Sequence, residues 1–431
     1  MEFLSQHVLP PTEHFLGLLQ FISIMTYMIH LPFIGMVIGG VGAAMWFTLA
    51  DSDNPNPRYE KFARDLLDVF LGSKTAVIVL GVLPIFALTF VLVQWFAGAD
   101  ATPLKYMPWT LVPVVLGFSA LGLYRRSFAS RKANIRAHLG MGSIGIVLLL
   151  AAYFTLVTIL TRLQDPEKWF RATSLGIMML NWNAIWRFLF FLHASFALTG
   201  CAILFFFFKW PGTRVKADDD YAGLVRNYGA GSAFAFSMAL PVFYTFYIFT
   251  TADIAFDNTV YGLAVGLMLL ILIITLLLFS NLRVPRTRFA ATTFILFLGV
   301  FMMVSVVDQK TMGNANAEHR TLRVMEAHRV KAEREAELEA LAAKGAGANR
   351  GEQIFTGQCM ACHRFDSRLV GPPLAQVLPK YKDNVEELKA FVKNPSKKNP
   401  DYPPMPSLGL TDADVDAVVH YVLGQLEQRS E

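Results

Sequence analysis

This chain is poor in cysteine and in charge. Only three cysteines occur in 431 residues, too few to read as the disulfide framework of a small secreted fold. Charged residues are 16% of the composition against 54% hydrophobic, with 36 phenylalanines, whereas a soluble domain carries about a quarter charged residues. Alternation of apolar and polar residues is missing too, which excludes a closed transmembrane β-barrel. No internal repeat is evident, and the first eleven residues lack the basic start of a cleavable signal peptide, so the first apolar run is expected to do the targeting.

What is present is a series of long, continuous apolar runs, at about 15–50, 75–96, 109–124, 139–161, 188–208, 230–251, 260–282 and 289–307. Runs near twenty residues cross a bilayer as helices. The expected fold class is therefore all-α: a polytopic membrane bundle of about eight transmembrane helices, the third being the shortest. Segment 51–74 carries Arg58, Lys61, Arg64 and Lys74; segment 125–138 carries Arg125, Arg126, Arg131, Lys132 and Arg136. Lys209, Arg214, Lys216 and Arg226 follow in 209–229, and Arg283, Arg286 and Arg288 in 283–288. Of the alternate loops, 100–108 has only Lys105 and 252–259 has no basic residue, while 162–187 breaks the pattern with Arg162, Lys168, Arg171 and Arg187. The positive-inside rule places both termini outside the cytoplasm, as for a multi-pass protein of a bacterial inner membrane with a periplasmic C-terminus. The net charge of +5 belongs mostly to this topology and does not imply a nucleic-acid partner.

Two of the three cysteines stand in Cys359-Met360-Ala361-Cys362-His363. CxxCH is the pattern of covalent haem attachment: the two thiols add to the haem vinyl groups and the imidazole becomes the proximal iron ligand. Tyr402-Pro403-Pro404-Met405-Pro406 sets one soft thioether in a proline-stiffened loop, suited to the sixth iron position. His/Met ligation raises the reduction potential. Thr411 followed by Asp412 and Asp414 marks a helix start. Segment 349–428 resembles a class I c-type cytochrome over nearly its whole length. The resemblance takes Gly351–Phe355 as the helix leading into the motif and expects Tyr421 to pack on it. It also makes Val370-Gly371-Pro372-Pro373-Leu374 the Gly-Pro turn, with Pro373 at the cofactor, where a proline locks its φ angle and a backbone carbonyl orients His363. One covalent haem c, in a monohaem extracytoplasmic domain, is implied.

Between the two parts, 309–348 is polar. Positions 318–341 read as an exposed helix of mixed Arg and Glu, ending in the flexible Gly345-Ala346-Gly347-Ala348, a spacer. His319 and His328 on it are expected to be solvated. The domain boundaries expected are 1–14 (an N-terminal extracytoplasmic segment), 15–308, 309–348 and 349–428.

Carboxylates are nearly absent from the apolar runs, yet His14, His30, His138 and His193 remain. Ionisable residues inside membrane helices are usually functional, and a neutral imidazole ligates haem iron. One or two b-type haems held by these histidines would be an electron source for haem c. If the first run enters near residue 15, His14 matches His193 in depth and His30 drops toward His138. If it exits near residue 50, His30 approaches His193. Cys201 is expected to be inert core.

Leu19-Gln20-Phe21 ahead of His30 in the first run, and His193 in the fifth, resemble subunit I of the cytochrome bd quinol oxidases over about 15–282. That resemblance implies b haem on these two histidines, with Met268 in the place of a further ligand. The departures are specific. The family's glutamate pair in the second and third helices and its Gly-Arg-Gln-Pro-Trp motif are missing, and the quinol loop has shrunk to 252–259. Oxygen reduction needs proton relays, which these runs barely offer.

The function expected is electron transfer between quinol or quinone and an extracytoplasmic cytochrome or other redox protein. It would run through b haem and haem c in a quinol:cytochrome c-type oxidoreductase, with membrane lipid and other respiratory subunits as neighbours. The aromatic loop with Trp169, Asn181, Trp182, Asn183 and Trp186 is a candidate quinone site. The alternatives are a bd-like terminal oxidase for O2 or NO fed by haem c, and a membrane anchor that holds no haem of its own.

Overall fold

The structure, a computed structural model, describes residues 12–99, 101–211, 220–283, 287 and 289–429. Helices and turns make up the described residues, with no strand among them. Most of the N-terminal segment, and Arg214, Lys216, Arg286 and Arg288 of the basic loops, lie outside them. The chain divides into two compact units, Met1–Met325 and Glu326–Glu431.

In the first unit, eight helices among the described residues are long and apolar enough to cross a membrane. Helix α1 (Glu13–Asp53) starts where the Thr12 hydroxyl accepts the Phe15 N–H at 3.1 Å. Next comes an amphipathic helix, α2 (Pro57–Leu71), which buries Phe62, Leu66, Leu67 and Phe70 and leaves Arg58, Lys61 and Arg64 outward. Helix α3 (Lys74–Trp95) widens into a π-helical turn over Val77–Val82. The cause is Pro84, which has no N–H to give the Leu80 carbonyl four residues back. The Leu83 N–H reaches Ile78 instead, and the Leu80 carbonyl is left over for another donor.

The remaining spans are α4 (Pro108–Ser127), α5 (Ile135–Leu163), α6 (Trp182–Phe208), α7 (Asp220–Thr250), α8 (Asn258–Arg283) and α9 (Ala290–Ala315). Small residues let these helices touch, since lipid supplies no hydrophobic drive between them. A Cβ on Gly200 of α6 would lie 2.5 Å from the Gly229 carbonyl oxygen of α7, and one on Gly39 of α1 would collide with Thr199 of α6. Large apolar side chains such as Trp46, Val147, Phe249 and Leu276 are exposed on the outside of this unit, a surface suited to lipid and not to water.

The eighth apolar run was expected to end near residue 307, but α9 continues to Ala315. The buried stripe Val300, Val304, Val307, Thr311 and Ala315 keeps helical spacing past the last aliphatic residue, so polar character alone did not end the helix. A long helix, α10 (Ala317–Ile354), follows. It runs through 345–348, where a flexible stretch was expected. Alanines at 340, 342, 343, 346 and 348 are the best helix formers, and each intervening glycine costs only about 1 kcal/mol.

The second unit buries Phe355, Phe365, Leu378, Tyr381, Val418 and Val422 in its core. It contains α11 (Val385–Lys393) and α12 (Asp412–Gln428). Thr411 caps α12 by accepting the Asp414 N–H at 3.2 Å. Gly351 of α10 lies so close to α12 that a Cβ there would come 2.3 Å from the Ala417 carbonyl oxygen. The Phe355 and Tyr421 rings meet at 5.7 Å, the expected packing.

Candidate haem sites

In the C-terminal unit, the turn holding CxxCH is shaped by backbone bonds. The His363 N–H reaches the Cys359 carbonyl at 2.9 Å, and the Gly371 N–H reaches the Cys362 carbonyl at 2.8 Å. This folds 370–372 over the imidazole. His363 Nδ1 donates to the Pro372 carbonyl at 3.3 Å, fixing the ring with Nε2 free. The carbonyl is that of Pro372; Pro373 instead opens the helix Leu374–Val377 and accepts the Gln376 N–H at 3.1 Å. Only glycine fits at 371, because a Cβ would sit 2.4 Å from the His363 ring.

Cys359 and Cys362 are free thiols, and burial raises the Cys359 pKa above its ordinary value, with Cys362 adding to the shift. Both line a pocket of about 430 Å³ together with His363, Leu374, Tyr381 and Met405. The Met405 loop is tied down by Arg368, which donates to the Asp401 carbonyl at 3.0 Å and stacks 4.4 Å over Tyr402. Two thiols, one imidazole with its far nitrogen committed, and a thioether on a single apolar cavity fit a haem and its two axial ligands.

In the membrane unit, His30 is buried, and its Nδ1 donates to the Leu80 carbonyl at 3.1 Å, the group that Pro84 leaves free. His193 donates Nδ1 to the Leu189 carbonyl at 2.8 Å, one turn back on α6, and its ring lies 4.3 Å from Phe243 and 5.7 Å from Phe236 of α7. Carbonyl bonds of this kind hold an imidazole in the tautomer that offers Nε2 to iron. The close approach of Gly35 to Ser195 puts His30 and His193 within about one turn of each other in depth. They do not face each other. Ser195 and Thr199 face α1, and His193, two residues before Ser195, points about 200° away around the helix.

His14 is exposed in the first turn of α1. His138 is buried near the start of α5, where its Nδ1 donates to Ser127 Oγ at 2.7 Å and its ring stacks on Tyr124 at 4.3 Å. The structure brings neither of them to His30 or His193. Among the described residues there is no cluster of His, Cys, Asp and Glu able to hold a metal ion. Near His138, Asp51, Glu60 and Arg131 line a polar pocket of about 410 Å³. Arg131 and Lys132 hold the Glu60 carboxyl below its ordinary pKa.

Sequence reasoning missed an ion pair in the membrane unit. Arg187 of α6 and Asp308 of α9 form a salt bridge with both side chains only 6% exposed, and the Tyr247 hydroxyl donates to Asp308 at 2.6 Å. Arg187 was assigned to a loop and Asp308 to the edge of the spacer. Continuing the seven-residue repeat from Phe301 to Asp308 and Ala315, all three buried, would have kept Asp308 in the bundle. The aromatic loop, by contrast, spends its polar groups internally. Asn183 donates to the Tyr247 carbonyl at 3.0 Å and to Thr251 at 2.8 Å, Asn181 to Thr161 at 3.2 Å, and Trp169 to the Arg162 carbonyl at 2.8 Å.

Comparison with known proteins finds one matching family, cytochrome c, over residues 348–425. Cytochrome c-551 of Pseudomonas aeruginosa is 33% identical over 89 residues, covering 20% of this chain and 86% of that protein. No solved structure matches the chain.

Proposed function

The chain belongs to the cytochrome c family through its C-terminal domain, and from that premise we propose that it carries electrons between a membrane quinol and an extracytoplasmic redox protein. Haem c supplies one-electron transfer when bound. Cys359 and Cys362 would anchor it, and His363, oriented by the Pro372 carbonyl, and Met405 would be its iron ligands. We read His30 and His193 as ligands of b-type haem at two separate positions. The observation that carries this is the shared state of the two rings: each Nδ1 is tied to a backbone carbonyl and each Nε2 is left for iron.

His14 and His138 stand apart from this ligand set. The membrane unit is then a divergent relative of bd-type subunit I that conducts electrons, with Met268 half-buried on α8 as a further candidate ligand for the iron at His193. The basic loops support a haem c domain outside the cytoplasm of a bacterial inner membrane, where it would meet its partner protein. Mixing the oxidised, detergent-solubilised chain with a short-chain quinol tests the reading. Reduction first at b haem and then at haem c is expected; haem c reduced by ascorbate but by no quinol would refute it.

A further inference from the structure

In a low-dielectric interior a polar atom without a partner is costly, and such atoms mark where a ligand's polar groups go. Three of them gather around the Arg187–Asp308 pair: Arg187 Nη1 and the hydroxyls of Tyr27 and Tyr244 are buried with no hydrogen-bond partner among the described residues. Both tyrosines are at most 2% exposed and feel the charge of Asp308. Asp308 itself accepts from Arg187 and Tyr247, and its backbone carbonyl accepts from Gln164 at 3.3 Å. Four spans, α1, α6, α7 and α9, therefore point unsatisfied or charged groups at one place. Tyr27 is three residues from His30, one turn along α1.

We propose that this cluster binds the headgroup of a quinol, with Asp308 as the proton acceptor. The inference rests on the reading above and moves the site from the aromatic loop, where Trp169, Asn181 and Asn183 already have protein partners. Arg187 Nη1 and the Tyr27 and Tyr244 hydroxyls donate to the quinone-side oxygens, and the Asp308 carboxylate accepts from a quinol hydroxyl. Oxidation breaks both quinol O–H bonds and forms two carbonyls. The two electrons would leave one at a time, with ferric b haem, which His30 would hold, as the one-electron oxidant. The first proton goes to Asp308, and the second passes to water on the extracytoplasmic side. Arg187 offsets the carboxylate charge while the site is empty.

The test uses the whole chain with its haems. Tyr27→Phe removes a hydroxyl that no protein group uses, so folding and b-haem content should be retained or improved. Its affinity for a short-chain quinone, read as ligand-induced thermal shift, should fall roughly tenfold. Asp308→Asn should slow quinol reduction of b haem at least ~100-fold while ascorbate still reduces haem c normally. Wild-type rates in both variants, with unchanged quinone affinity in Tyr27→Phe, would overturn the site and leave the quinol reading standing. No reduction of the wild type by quinol would instead overturn that reading and the site with it. If Asp308→Asn fails to assemble, Tyr27→Phe and Tyr244→Phe decide alone.

Discussion

Pro84 provides His30 with its hydrogen-bond partner. Because residue 84 has no N–H, the Leu80 carbonyl lacks the donor four residues on, and His30 Nδ1 takes it at 3.1 Å. A proline in one span thus orients an imidazole in another, and the π-helical turn is the local mark of that exchange.

Pro84→Ala should therefore disturb b haem without touching haem c. An alanine N–H at 84 competes for Leu80, and His30 loses its orienting bond. Loss of such a partner lowers metal-site affinity by roughly 10–100-fold. Haem b content by pyridine haemochrome should fall, with haem c unchanged.

His30→Ala and His193→Ala should each remove a separate share of b haem, since the two rings face different sides of the bundle. The double variant should retain haem c alone. Loss of all b haem in either single variant would mean one shared iron instead of two.

Met405→Leu should lower the haem c reduction potential and open the sixth position to carbon monoxide, seen as a shifted Soret band in the reduced protein. Gly371→Ala should be more damaging, because the added methyl meets the His363 ring at 2.4 Å. Overpacking of that kind costs about 1–3 kcal/mol, so the Tm of the haem c domain should drop by several degrees.

Hydrogen bonding to Thr411, aided by Arg350, holds the Asp414 carboxyl below its ordinary pKa. A depressed carboxyl stabilises the fold above its unfolded pKa, and that contribution is lost as pH falls through the lower folded value. Asp414→Asn should thus lower Tm at neutral pH, and the gap to wild type should close below about pH 3–4. Soret-monitored melts across that range measure it.

How much of this could be read in the sequence follows from distance along the chain. The haem c site was legible because its two thiols, its imidazole and its candidate thioether lie within one short segment with fixed spacing. The membrane histidines were legible by rarity, but their facing was not. It depends on helix rotation, set by contacts such as Gly39 against Thr199 that no local pattern reveals. The Arg187–Asp308 pair was missed for a related reason. Its members are 121 positions apart, and each sits where an apolar run gives way to polar sequence, which reads as an interface until packing buries both. The long α10 was misread locally, since glycines among alanines weaken a helix without ending it.

The most direct test of the central claim, that the membrane unit holds haem of its own, is a pyridine haemochrome count of b against c on the purified chain. Two b haems for each covalent haem c are predicted. Haem c alone, with none extractable by acid, would contradict the account.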